Sequence, residues 1–127
     1  MKTPGAGNRI GMEQVDVEVV TASGALDTAG SEPLRRDLSD LINRGHGAVV
    51  DLRQATLIDS AGGGVLLTAS ERCRLRQLPF ALVLDASPFA PARRSLRLLG
   101  LLRSLPVYSD LEEALTSLQA RTGRDRR

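Results

Sequence analysis

Two short runs, Ala48-Val49-Val50-Asp51-Leu52 and Phe80-Ala81-Leu82-Val83-Leu84, are apolar at nearly every position and bounded by polar residues. A strand with one wet face alternates apolar and polar residues, so runs this continuous predict strands covered on both faces. Helical spacing follows each run. After the first, Val65, Leu66, Ala69 and Cys73 share one helical face, while Glu71, Arg72, Arg74 and Arg76 point elsewhere and Pro79 ends the pattern. After the second, Asp85-Ala86-Ser87-Pro88 reads as a turn. A helix near Pro91 then carries Leu96 and Leu99 inward and Arg93, Arg94 and Arg97 outward, with Gly100 closing it. Buried strands alternating with amphipathic helices predict an α/β layer structure around a mostly parallel sheet.

The flanks extend the alternation. Val15, Val17 and Val19 against Asp16 and Glu18 predict a half-buried strand continuing towards Ala22, broken at Ser23-Gly24-Ala25-Leu26-Asp27. Thr28 or Ser31 can cap a helix with Pro33 in its first turn, and Leu34, Leu38, Leu41 and Ile42 on one face. Near the end, Leu105-Pro106-Val107-Tyr108 predicts a short edge strand, and Ser109-Asp110-Leu111-Glu112 a capping box. Leu111, Ala114, Leu115 and Leu118 continue as an amphipathic helix. The expected organisation is a flexible tail over 1–12, one domain over 13–120 and a flexible tail over 121–127.

Several functional classes are disfavoured. A single cysteine, Cys73, allows no internal disulfide and fits a reducing cytoplasm. One cysteine and one histidine, His46, cannot build a zinc site. No apolar run is long enough to cross a bilayer, and no leader-like run follows Lys2, so neither membrane insertion nor export is expected. A net charge of +2 and three aromatic residues, none set in a basic patch, argue against direct nucleic-acid binding.

Between the first buried run and its helix lies Thr56-Leu57-Ile58-Asp59-Ser60-Ala61-Gly62-Gly63-Gly64, a strand-to-helix corner. Asp59 and Ser60 can accept hydrogen bonds from the first free amides of the helix, and the glycines allow close approach to the backbone. Rival chemistry fares poorly. Ser60 as a nucleophile needs a base, but His46 sits in a turn at the other end of the strand, where it reads as a solvated loop residue. A Walker loop needs a Lys and a Ser or Thr after its last glycine, and Val65 and Leu66 stand there. The glycines read instead as a device that keeps a docking surface flat. Asp51 either hydrogen-bonds near the corner to fix its shape or marks the end of its strand.

Four stretches, in order, carry a resemblance: Gly24-Ala25-Leu26-Asp27; Val49-Val50-Asp51-Leu52 leading to Ile58-Asp59-Ser60-Ala61-Gly62; Leu96-Arg97-Leu98-Leu99-Gly100-Leu101; and Val107-Tyr108-Ser109-Asp110-Leu111-Glu112-Glu113-Ala114-Leu115. Together they resemble the STAS domain, the fold of bacterial anti-sigma factor antagonists. The resemblance implies a small mixed, mostly parallel β-sheet of four to five strands packed by about four helices. It also implies a non-enzymatic, cofactor-free protein whose corner docks on an anti-sigma factor. In that family the anti-sigma factor is often a serine kinase of the histidine-kinase-like ATPase fold, which phosphorylates the antagonist directly before the corner glycine and so releases the complex. Carried onto this chain, the docking residues are Asp59, Ser60, Ala61, Gly62 and Gly63, together with Asp27, which otherwise serves only to cap the first helix.

Two departures stand out. The family's phosphoacceptor position is Ala61, which has no hydroxyl, and the nearest hydroxyl is Ser60. Three readings follow: Ser60 is the acceptor, which turns the side chain by about 100° around a helix; the protein is an antagonist without a phosphate switch; or it is an accessory subunit of the kind found on ABC-type lipid transporters or larger signalling assemblies. The family also places one more strand before the first, for which Asn8 to Met12 is a weak candidate.

Overall fold

A computed structural model describes residues 15–125, with side chains through Gln119. Along it run strand β1 (Val17–Leu26), helix α1 (Glu32–Asn43), β2 (Gly47–Ile58), α2 (Ser60–Leu75), β3 (Phe80–Val83), α3 (Pro91–Leu98), β4 (Val107–Tyr108) and α4 (Leu111–Asp125). The four strands lie in the order β1-β2-β3-β4, and among the described residues every pairing is parallel. A parallel neighbour requires a crossover, and a helix supplies each one. Asn8 to Met12, the candidate extra strand, and the tail expected over 1–12 lie outside the described residues.

Both faces of the central strands are covered, as their composition requires. On one face Ala48, Val50, Leu52, Leu82 and Leu84 pack with Leu38 and Ile42 of α1, Leu66 and Cys73 of α2 and Leu96 of α3. On the other, Val49, Ala81 and Val83 meet Ala114 and Leu118 of α4. Burying a side chain such as Leu66 or Leu82 contributes about 1.5–3 kcal/mol, so the two small clusters hold the sheet against the conformational entropy of the chain.

Several boundaries differ from the sequence reading. β1 does not break at Ser23 but continues to Leu26, through register shifts between Thr21 and Ser23 and between Gly24 and Ala25. Bulges absorb the residues that spoil the alternation. β2 runs past Leu52 to Ile58, beyond the end of β3 at Val83, and there α3 packs beside it. Ser31, one of the two expected caps, does stand at the N-cap of α1, but its side chain makes no capping bond, and the preceding turn is held by Asp27. At α4 the cap is Asp110, whose Oδ1 accepts the Glu112 amide at 2.9 Å, in place of a capping box on Ser109. That helix also continues beyond the boundary set at 120, to Asp125, since Ala120 and Arg121 are good helix formers and no proline intervenes.

His46 is not a solvated loop residue. Its Nδ1 meets the Glu18 carboxylate, and its Nε2 lies 3.7 Å from Asp16 Oδ2. Arg44, 3.8 Å from Glu18 and 3.2 Å from Asp40, joins the group. The imidazole ties the start of β2 to β1, far from the corner at the other end of the same strand.

Candidate functional site

Parallel pairing brings two distant stretches together. Leu26 pairs with Ile58, so Asp27 and Asp59 leave neighbouring strand ends, and the Asp59 amide donates to the Leu26 carbonyl at 3.3 Å. Asp59 is still extended, with φ −98° and ψ −168°. Its Oδ1 accepts the amides of Ala61 at 2.9 Å and Gly62 at 3.2 Å, and its carbonyl accepts the Gly63 amide at 2.8 Å. A carboxylate is favoured there by the positive end of the helix. It offsets part of the cost of starting a helix on three successive glycines, each about 1 kcal/mol worse than alanine.

The first two glycines have an internal reason for being glycine. A Cβ on Gly62 would come within 2.3 Å of the Leu26 carbonyl oxygen, and one on Gly63 within 2.9 Å of Leu101 Cδ1. Both residues are buried, so close packing of α2 against β1 and the Leu99-Gly100-Leu101 turn replaces the flat outer surface expected of them. Gly64 is exposed and faces open space.

The other site residues differ in exposure. Asp27 is half-buried; its Oδ1 accepts the Gly30 amide at 2.7 Å and its carbonyl the Ser31 amide at 2.8 Å. Ser60 is exposed at the first position of α2, and its hydroxyl makes no hydrogen bond among the described residues. Ala61 lines a groove of about 360 Å³ between α1 and α2, with Leu38 and Ile42 on one wall and Gly64, Val65 and Thr68 on the other. Ser60 does not line it. Arg35 and Arg72 stand at the groove as well. Arg72 spans it, donating to Ser39 Oγ at 3.2 Å and Asn43 Oδ1 at 2.6 Å, whereas Arg35 pairs with Glu32. Sequence reasoning did not find this groove or its arginines; the available signal was the pair of positions flanking the apolar stripes of two successive helices.

Asp51 lies outside the corner, within β2. Its carboxylate accepts from Arg53 Nε at 2.9 Å, Arg53 Nη2 at 2.7 Å and the Arg53 amide at 3.1 Å. The Arg53 hydrogen bonds hold its carboxyl below the usual carboxylate range, against a smaller opposing effect of burial. Asp51 thus neither shapes the corner nor ends its strand. Burial pushes the Cys73 thiol up to about 11, which removes it as a nucleophile at neutral pH. Among the described residues no group of three or more His, Cys, Asp or Glu is arranged to hold a metal ion, and no helix is long and apolar enough to cross a membrane. What the corner can offer is shape, one hydroxyl and free helix surface.

Comparison with known proteins gives a consistent result. The STAS domain family model matches residues 11–114. An anti-sigma F factor antagonist from Paenibacillus polymyxa is 31% identical over 105 residues, covering 81% of this chain and 87% of that one. The crystal structure of an anti-sigma factor antagonist from Mycobacterium paratuberculosis superposes with a TM-score of 0.65 at 26% identity, covering 84% of this chain and 88% of that chain. The anti-sigma factor antagonist SpoIIAA in its unphosphorylated form shares the fold, with a TM-score of 0.65 at 21% identity over 83% of this chain and 90% of that chain. A capped corner built on a four-stranded parallel sheet, a family model spanning most of the length and a relative of this identity lead to one conclusion: the chain belongs to the STAS domain family, among its anti-sigma factor antagonists.

Proposed function

We propose that this protein binds an anti-sigma factor in the cytoplasm through the corner from Asp59 to Gly64, so freeing a sigma factor, and that phosphate at the corner does not control it. The supporting observation is the position of Ala61. It lines the groove between α1 and α2 at the start of a helix, where a phosphorylated hydroxyl would place about −1.5 to −2 charges on the docking surface. Alanine keeps that surface permanently in its uncharged form. Ser60, one residue earlier, lies off the groove, so a kinase that reads the groove would meet a methyl group there.

The partner in this reading is an anti-sigma factor of the kinase type with the histidine-kinase-like ATPase fold, or one that has lost its kinase role. The contact surface comprises the exposed Ser60 and Gly64 and the half-buried Asp27, Asp59 and Ala61, while Gly62 and Gly63 set the shape beneath. The protein works by binding, with no chemistry of its own.

The test is affinity capture from the native host with the full chain, followed by incubation of the captured complex with ATP and mass spectrometry. Recovery of an ATPase-fold anti-sigma factor, with no phosphate on the antagonist, is the expected result. Stoichiometric phosphate on Ser60 would overturn the unswitched reading. Recovery of an ABC-transporter nucleotide-binding subunit instead would overturn the whole assignment.

A further inference from the structure

Helix α3 turns towards solvent a face that the fold does not use. Ala92, Ser95 and Leu96 are buried against the sheet, which leaves Arg93, Arg94, Arg97 and Leu98 on the opposite side of the helix. Leu98 is 74% exposed, and Phe89, just before the helix, 84%. No other large apolar side chains among the described residues are as open to water. Exposed apolar groups occur singly on most surfaces; here they frame three arginines.

The charge of those arginines is also unbalanced. Arg35, Arg44, Arg53 and Arg74 each pair with a carboxylate, while Arg36, Arg72, Arg76 and Arg103 pair with none among the described residues; what distinguishes α3 is that three such arginines share one short helix. Arg93, Arg94 and Arg97 pair with none among the described residues. Arg93 Nε donates to the Asp85 carbonyl at 2.7 Å, and Arg97 Nη1 to the Pro88 carbonyl at 3.3 Å, which ties down the loop that carries Phe89. Arg94 makes no side-chain bond among the described residues. The helix is fixed from below as well, because Ser95 Oγ accepts the Ile58 amide at 3.1 Å.

The geometry points to a second docking surface, Phe89 to Leu98, for an acidic segment of a protein partner that carries apolar side chains between its carboxylates. Guanidinium groups and aromatic rings are the groups over-represented in the energetically dominant part of protein interfaces. Carboxylates on the partner supply the charge that the fold withholds from these arginines. A lipid surface fits less well. Binding a bilayer needs a larger apolar face than one leucine on a short helix and one phenylalanine in the loop before it. This surface rests on its own exposure and charge pattern, independently of the corner.

The test uses the full-length chain, isotopically labelled for NMR and titrated with a short synthetic peptide of alternating glutamate and leucine. Amide shifts confined to Phe89–Leu98 are expected, with affinity falling at least about tenfold, some 1.4 kcal/mol, in an Arg94→Glu/Leu98→Ser variant and in Arg94→Glu alone. Both side chains are exposed, so circular dichroism of the variants should match the parent. The inference is overturned if no shifts appear there, if an alternating glutamine and leucine peptide binds as well, or if the variants bind unchanged. It is equally overturned if phosphatidylserine vesicles or a single-stranded DNA oligonucleotide take up the protein through Arg94 more tightly than the peptide does.

Discussion

The Ser95 hydroxyl accepts the Ile58 amide hydrogen at 3.1 Å, 37 residues away in sequence and immediately before the Asp59 cap. β3 ends at Val83, so at Ile58 a helix side chain, in place of a strand carbonyl, satisfies the amide of β2. Ser95 is 9% exposed, which leaves little room for water to substitute. Ser95→Ala should therefore destabilise the protein by about 1–3 kcal/mol, the cost of an unmet buried donor. Urea unfolding measures the loss, and hydrogen exchange should show the Ile58 amide opening faster than in the parent. An unchanged midpoint would mean that this bond does not hold the corner.

The corner glycines separate into two kinds. Gly62→Ala forces a methyl group onto the Leu26 carbonyl oxygen, part of a strand that cannot yield cheaply, so the substitution should cost about 1–3 kcal/mol despite alanine's better helix propensity. Gly64→Ala meets nothing within 4 Å and should stabilise by about 0.5–1 kcal/mol. Thermal unfolding of the two variants in parallel should move the midpoint in opposite directions. Equal shifts would remove the packing argument for Gly62.

Asp51 provides a pH test. Its carboxyl is lowered below its ordinary value mainly by the hydrogen bonds from Arg53, so the unfolded chain takes up a proton there at a higher pH than the folded one. The contribution to stability is complete above the unfolded value, about pH 4, and declines as pH falls through the folded value. Asp51→Asn, which cannot titrate, should be less stable than the parent at neutral pH by about 1–2 kcal/mol. That deficit should shrink in acid. A deficit that stays constant from neutral to strongly acidic solution would show that the Arg53 pair contributes nothing through its charge.

Residue pattern made the sheet and its helices legible because burial on two faces leaves an unmistakable run, as at Val49-Val50 and Leu82-Val83. Leu34, Leu38, Leu41 and Ile42 were legible for the same reason. The pattern fails where a strand leaves that regime. β2 beyond Leu52 alternates irregularly because its neighbour on one side has ended, and β1 carries bulges that mimic a break. At the site, Asp59 as a cap could be read from its place before the helix, yet the reason for Gly62 and Gly63 could not. It depends on Leu26 and Leu101, brought there by strand pairing and by the turn after α3. The groove beside Ala61 is likewise a property of two helices, invisible in either alone.

Cys73 should be inert in the folded protein. It is fully buried among Leu66, Leu82 and their neighbours, and a thiol pushed up to about 11 is ionised at pH 8 to only about one part in a thousand. Iodoacetamide should leave the native protein unlabelled for as long as it stays folded and modify Cys73 promptly once urea is added. Mass spectrometry reads both states. Prompt labelling without denaturant would place the α2 face in solvent and contradict its packing on the sheet.

Substitution of Ala61 separates the fold from its binding. Position 61 is the second residue of α2, where the free amides and the positive helix end favour negative charge, so Ala61→Glu should leave the thermal midpoint unchanged or raise it by the equivalent of about 0.3–1 kcal/mol. The same carboxylate sits at the groove, and if the partner docks there as proposed it must desolvate or repel that charge, so affinity for the anti-sigma factor should fall at least about tenfold. Ala61→Ser should bind like the parent until a kinase-competent anti-sigma factor and ATP are supplied, and then lose affinity as phosphate accumulates on the new hydroxyl. Calorimetric titration against the captured partner measures each case. If Ala61→Glu binds as tightly as the parent while remaining folded, the partner docks elsewhere on the molecule, and the proposed role of Ala61 in keeping the corner uncharged fails.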